Sequence, residues 1–353
     1  MKQISLARGG FDRYGKTTKR AAFLAEMDRV VPRVQLCVLI EPHYPKAGRG
    51  RHPVGLERML RIHFLQHWFN LSDPAVEESL YESISMREFV GIDLGHERVP
   101  DETTVLKFRH LLEHLDLGRQ IFEQVGAHLQ AQGFRLSTGA IVDATLIAAP
   151  SSTRNASGAR DPEMKQSKKG NQWYFGMKVH MAVDARNKLI HHVVAASGNV
   201  HDGKVLPQLL HGKETAVWGE AAYSGQANMI AQHAPWAQDY MQHRDRAYKY
   251  LSRMQREINR HCSKVRARVE HVIGVIKRIF GFAKVRYRGR PRMATACLWL
   301  LPWPTSSPSG DHYWMPCGHR CAWIGTIARQ QAFPAPTQHP FIAHRAPTRE
   351  RSA

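Results

Sequence analysis

Acidic residues are scarce in this chain. Against 50 lysines and arginines stand 30 aspartates and glutamates, leaving a formal net charge of +20 over 353 residues. A protein this basic attracts polyanions, with an affinity that falls steeply as salt rises. Cysteine is also rare: Cys37, Cys262, Cys297, Cys317 and Cys321 are widely scattered and odd in number, which fits reduced thiols and excludes a disulfide framework. Cys317, His319 and Cys321 lie close together, yet no second pair has zinc-finger spacing. No stretch reaches the roughly 18 apolar residues of a membrane span, and Met1 to Arg8 holds no apolar run of the secretory kind. The expectation is a cytoplasmic protein without a membrane partner. Its hydrophobic share, 43%, excludes disordered and repetitive classes, and its length suffices for two domains of ordinary size. Nucleic acid is the partner that this balance favours, with a basic structural protein as the competing reading.

Up to about Gln132 the pattern is helical. Lys16 to Val31 opens it, and in Gly55 to Leu71 the residues Leu56, Met59, Leu60, His63, Phe64, His67 and Trp68 share one stripe at helical spacing. Ser72 or Asp73, followed by Pro74, reads as a helix start, and Pro100 with Asp101 does the same for Glu102 to Leu115. Leu117 to Gln132 ends at Gly133, suited to a left-handed cap. Short helices with helix-turn-helix-like spacing carry Arg49, Arg51, Arg58, Arg61, Lys107 and Arg109, which either meet phosphates or form solvated basic faces. His43, His52, His63 and His67 read as packing or surface histidines, not as metal ligands.

At Thr138 the period changes. Gly139 to Ala148, Trp173 to Asp184 and Lys188 to Ala196 read as strands, the last two joined by the short turn Ala185 to Asn187. A helix at His201 to His211, a strand at Glu214 to Gly219, a helix at Gln226 to Ala234 and a fifth strand at Gln238 to Gln242 complete a mixed sheet flanked by helices. Pro150 to Gln172 is polar and basic, with Arg154, Arg160, Lys165, Lys168 and Lys169, and reads as a surface loop able to touch a phosphate backbone.

Three carboxylates stand out. Asp143 interrupts an apolar strand, where an unpaired acid is costly. Glu220 follows the C-terminal end of another apolar strand, where ligands gather in open α/β sheets. Glu270 lies in a helical stretch with Val269, Ile273, Ile276 and Phe280 on its core face and Arg266 and Lys277 four and seven residues away. Three acids from three elements suit two hard cations, and the chemistry that needs such a set is phosphodiester cleavage and transfer, with Arg266 and Lys277 placed to hold phosphates.

The segments IVDATLIAAPSSTRN (Ile141 to Asn155), KKGNQWYFGMKVH (Lys168 to His180), NVHD (Asn199 to Asp202), GEAAYSG (Gly219 to Gly225) and RARVEHVIGVIKRIFGFAKVRYRG (Arg266 to Gly289) resemble DDE transposases of the bacterial insertion-sequence-five family, and the N-terminal segments resemble that family's amino-terminal domain. The resemblance implies an α/β, RNase H-like catalytic domain over residues 137–293, preceded by an all-helical domain over residues 1–136 that binds DNA ends. It implies a metal triad of Asp143, Glu220 and Glu270 holding two Mg2+ ions, replaceable by Mn2+. Arg266, Lys277, Lys168 and Lys169 are then the DNA contacts, and double-stranded DNA, as terminal inverted repeats and target, is the partner of a homodimer or larger synaptic assembly, nucleoid-associated in a bacterial cytoplasm. Two departures stand out: Glu220 occupies the place of the family's second aspartate, and Ser263 that of a tyrosine. Asp202, which precedes a helix, is a poorer substitute for the second acid. The implied activity is strand cleavage and transfer; the alternative is a defective remnant that binds ends without cutting.

Beyond Met293 the composition shifts. Trp299, Trp303, Trp314 and Trp323 are half of the chain's 8 tryptophans, and no lysine follows Lys284. Residues 294–353 read as an irregular tail out of frame from near Thr295, with a genuine Trp-rich interaction segment as the alternative.

Overall fold

A computed structural model describes residues 16–49, 52–132, 139–156, 158–244 and 250–300. The chain begins there with helices α1 (Lys19–Val30), α2 (Arg33–Ile40), α3 (Leu56–Trp68), α4 (Asp73–Glu82), α5 (Ile84–Val90), α6 (Glu102–His114) and α7 (Leu117–Ala131). Their starts are written in side chains that accept otherwise orphaned backbone N–H groups. Thr18 Oγ1 takes the N–H of Ala21 at 3.1 Å, Ser72 Oγ that of Ala75 at 3.3 Å, and Asp101 Oδ1 that of Thr104 at 2.7 Å. Helix α5 stops at Gly91, whose φ of 77° is the left-handed conformation that glycine adopts without steric cost.

Helix α3 is the axis of this half. The predicted stripe is buried apart from Leu56, but Ile62, Leu65 and Gln66 are buried as well, because α2, α4, α5 and α6 pack around it. Each large apolar side chain withdrawn from water here stabilises by roughly 1.5–3 kcal/mol. Helices α2 and α5, of 8 and 7 residues, are too short to show a helical period by themselves.

The sheet follows. Strand β1 (Gly139–Ala148) is antiparallel to β3 (Gln172–Asp184) on one side and parallel to β5 (Ala216–Gly219) on the other. Strand β6 (Gln238–Met241) runs parallel beyond β5. The far edge of β3 is taken first by β2 (Lys165–Lys169) and then by β4 (Ile190–Ser197), both antiparallel. Between β4 and β5 lie the one-turn helix α8 (Asp202–Val205) and a 3-10 turn, Leu206–Gln208; between β5 and β6 lies α9 (Ala227–His233). Helix α10 (Arg253–Gly274) and helix α11 (Arg290–Leu300) complete the described chain.

Strand alternation sorts the sheet into two faces. Ile141, Ile147, Val179, Met181 and Val183 join Val269 and Val272 of α10, and Ile276 just beyond it, in one core, which is continuous with that of the helical half. Val142, Ala182 and Val217 face the other way, onto Val205, Leu206, Tyr223 and Ile230. Helix α11 is the wedge between the two halves: it contacts α3, α6 and α7 and also β4, with Met293, Ala296, Cys297 and Leu298 buried.

Several expectations need correction. The basic segment Pro150 to Gln172 is not all loop, since residues 165–169 pair with β3 as an edge strand. The helix expected over His201 to His211 is one α-turn followed by a 3-10 turn whose Pro207 has no N–H to continue the ladder. The irregular tail does not begin at residue 294, because α11 runs through Thr295 to Leu300. Gly133 and the tail beyond Leu300, with Cys317, His319 and Cys321, lie outside the described residues. In the helical half Arg109 is not free for phosphate: it is 6% exposed, donates to Asp73 at 2.9 Å and Glu113 at 3.0 Å, and lies over the Tyr287 ring. Arg58 and Arg61 are likewise paired, with Glu97 at 2.5 Å and Asp28 at 2.7 Å. Arg51 lies outside the described residues.

Candidate active site

Asp143 sits at the middle of β1, on the face covered by α10, and is 5% exposed. Its Oδ1 accepts the N–H of Ala144 at 2.7 Å, and its Oδ2 faces Arg266 Nη1 at 3.2 Å. Burial pushes the carboxyl up to about 6; the Ala144 N–H and the Arg266 guanidinium pull the other way, and the charges of Glu220 and Glu270 add to the rise.

The positive charge present comes from α10. Ser252 and Gln255 form a reciprocal capping box at its start, and Cys262, Val269 and Val272 are its buried residues. About 100° per residue places Arg266 and Glu270 together on the flank beside the core face. Arg266 Nη2 donates to Glu270 Oε1 at 2.7 Å, so one guanidinium bridges Asp143 and Glu270. The helix then widens into a π-turn over Val275–Ile279, and Lys277 Nζ donates to the carbonyl of Leu146 at 2.7 Å. Burial first, and the charge of Lys169 second, hold Lys277 below its ordinary range.

Glu220 is exposed. The register that pairs Val142 with Gly219 makes Asp143 and Glu220 the next residues on adjacent parallel strands. The carbonyl of Glu220 accepts the N–H of Tyr223 at 2.9 Å in a 3-10 turn. Next to it, Gln242 N–H donates to the Gly219 carbonyl at 3.1 Å, and Gln242 Nε2 donates to Ser263 Oγ of α10 at 2.6 Å. Asp143 of β1, Glu220 just past β5 and Glu270 of α10 therefore lie near enough for the charges of the two glutamates to act on Asp143. Among the described residues no three His, Cys, Asp or Glu side chains stand close enough to hold a metal ion. The three side chains are all carboxylate oxygen donors, the chemistry of hard divalent cations, and it is Arg266 that stands between Asp143 and Glu270.

Lys168 and Lys169 are exposed on edge strand β2, and the Lys168 ammonium stands 6.0 Å from the Trp173 ring centroid.

A second polar group lies on the opposite face of β3. Lys178 Nζ donates to Asp202 at 2.8 Å and to the Val200 carbonyl at 3.0 Å. His180 is 0% exposed, 3.9 Å from Asp202, and neither ring nitrogen makes a hydrogen bond. Burial lowers it to about 4, against the raising pull of Asp202. Tyr223 is fully buried with an unbonded hydroxyl, raised by burial and by the charges of Asp202, Asp143 and Glu220. The signal was in the sequence: Lys178 and His180 are two apart on a strand and so share a face.

Comparison with known families places this geometry. Residues 135–301 match the transposase DDE domain, a span that includes all of the sheet and both helices α10 and α11. Residues 12–111 match a transposase domain, DUF772, covering α1 through most of α6. Two stretches of the chain are thus similar to transposase domains, a helical one followed by one of the DDE type.

Proposed function

We propose that this chain is the transposase of an insertion sequence of the insertion-sequence-five family, with an RNase H-like catalytic domain that cleaves DNA at the element's terminal inverted repeats and joins the freed end to target DNA. The observation that carries the reading is the buried Asp143 carboxylate, bridged by Arg266 to Glu270, within the span that matches a DDE domain. The strand order, β1 between antiparallel β3 and parallel β5, supports the RNase H-like assignment.

Asp143, Glu220 and Glu270 offer the oxygens for two divalent ions, Mg2+ or Mn2+. Such ions, when bound, activate the attacking oxygen and steady the leaving one. In cleavage a water oxygen forms a bond to phosphorus as the bond to the 3′-oxygen breaks, leaving a 3′-hydroxyl and a 5′-phosphate. In transfer that hydroxyl attacks a target phosphodiester and displaces its 3′-oxygen. Arg266, released from the two carboxylates, becomes a bidentate donor for phosphate, while Lys277, Lys168 and Lys169 line the approach. Two ends must be joined, so the working form is a homodimer or a larger synaptic assembly.

A second reading has a specific observation behind it. Glu220 carries one methylene more than aspartate and is exposed at its strand end, and misplacing a reacting group by about 1 Å costs about 10²-fold. A chain disabled in this way is a DNA-binding remnant. Nicking of DNA that carries the gene's flanking repeats, with Mg2+ or Mn2+, separates the two. Cutting that Asp143→Ala and Glu270→Ala abolish supports the active enzyme. Cutting only by Glu220→Asp supports the remnant, and no affinity for the repeats in either form overturns both.

A further inference from the structure

Arg58, Arg61, Arg109 and Arg266 each stand beside a carboxylate. The cations on the first half of α10 do not. Arg253, Arg256, Arg260 and Lys264 are all exposed, and no carboxylate among the described residues lies within ion-pair distance of any of them. Glu257, also exposed, is the only acid on this half, so the segment carries a clear excess of positive charge.

Helical geometry gathers these four side chains. With about 100° per residue they fall in a stripe roughly 80° wide, opposite the core line through Val269 and Val272 and next to the flank that carries Glu270. Arg253 to Lys264 spans about 16 Å of helix axis, and Glu270 follows about 9 Å further on. One strand of B-DNA presents a phosphate every 3.4 Å along its axis, so the stripe matches a run of roughly five phosphates that ends at the carboxylates. The helix is held in place as well as charged. Asn259 exchanges two 2.9 Å hydrogen bonds with the backbone of His243, and Ser263 accepts from Gln242, which fixes this half of α10 to the chain leaving β6, the strand next to β5.

We propose that the N-terminal half of α10 is a duplex-DNA-binding arm, on which Arg253, Arg256, Arg260 and Lys264 hold the backbone of the DNA segment adjoining the site of cleavage. The identity of the ligand rests on the transposase reading above; the position of the arm rests on the helix alone. Its contacts are to phosphate and are independent of base sequence.

The test is the salt dependence of binding to a plain DNA duplex without repeats, measured by fluorescence anisotropy. Each phosphate contact contributes about 0.9 to the slope of log affinity against log salt. Changing all four residues to glutamine is expected to lower that slope by about 3 to 4, with circular dichroism and melting unchanged. The pairs Arg253→Gln with Arg256→Gln, and Arg260→Gln with Lys264→Gln, are each expected to remove about half, so a quadruple variant that fails to fold does not end the test. Arg186→Gln and Lys213→Gln together, exposed cations away from the arm and outside the helical domain, are expected to leave the slope as it was. An unchanged slope in the arm variants, or an equal drop in the control, overturns the arm while leaving the transposase reading intact. A wild-type chain with no salt-sensitive affinity for DNA overturns both.

Discussion

Arg266 Nη1 lies 3.2 Å from Asp143 Oδ2, so a side chain from α10 occupies the ground before the one buried acid of β1. The same guanidinium reaches Glu270, and each carboxylate is held partly for the sake of the other. A divalent cation at this pair of oxygens would have to compete with Arg266.

That competition is measurable. In chelator, Arg266→Ala is expected to destabilise by about 1.5–3 kcal/mol, the range for hydrogen bonds to charged groups, because Asp143 is left buried without its counter-charge. Adding Mn2+ is expected to raise the melting temperature of the variant by more than that of the wild type. Equal rises in the two proteins would show that the ion and the arginine do not share a site.

His180 gives a pH dependence. Its folded value, about 4, is below that of an ordinary histidine, so the folded state resists the proton that the unfolded chain accepts. Its contribution to stability is full above about pH 6.5 and is lost as pH falls toward 4. Comparing urea midpoints of wild type and His180→Leu at pH 7.5 and pH 5 isolates it, since Lys178 and Asp202 face the same position in both. The variant is expected to gain on the wild type at pH 5; a constant gap between the two would count against a buried neutral imidazole.

Tyr223→Phe removes a hydroxyl that is buried without a hydrogen bond. Leaving such a group unsatisfied costs about 1–3 kcal/mol, so this substitution is expected to hold or raise the unfolding free energy, by up to about 1 kcal/mol. A clear loss in equilibrium unfolding would mean that the hydroxyl has a partner in solution.

Gly176 is required by close approach. A Cβ there would lie 2.1 Å from the carbonyl oxygen of Ile147 and 3.1 Å from Ala148 Cα, both backbone atoms that can yield only by parting β1 from β3. Gly176→Ala is expected to cost about 2–3 kcal/mol, at the upper end of overpacking, and to speed hydrogen exchange along residues 144–148. Wild-type exchange there would show that the strands adjust without separating.

Much of this was legible in the residues. The apolar run over Gly139 to Ala148 coincides with β1, and the caps at Ser72 and Asp101 sit where their side chains foretell. The helical spacing around Glu270 names most of its core face, since Val269, Ile276 and Phe280 are buried and Ile273 is half-buried. What was hidden is what depends on distant partners. Residues 165–169 are polar on both faces and become a strand only because β3 offers an open edge. Arg109 looks like a surface cation in sequence, and is buried because Asp73, Glu113 and Tyr287 converge on it from three separate segments. Helix α11 was obscured by the proline and tryptophan content around it, although Met293, Ala296 and Cys297 recur at helical spacing. The bridge from Arg266 to Asp143 joins residues 123 apart, beyond the reach of any local pattern.

Helix α11 also sets an order of events during synthesis. It is the last described element to leave the ribosome, yet α3, α6, α7 and β4 all pack on it. The helical domain emerges some 170 residues earlier and must wait, with its side facing α11 uncovered, until that helix arrives. Each nascent chain therefore passes through a long interval with apolar surface open to solvent and to chaperones. Truncation before residue 290 would make that interval permanent for both domains at once.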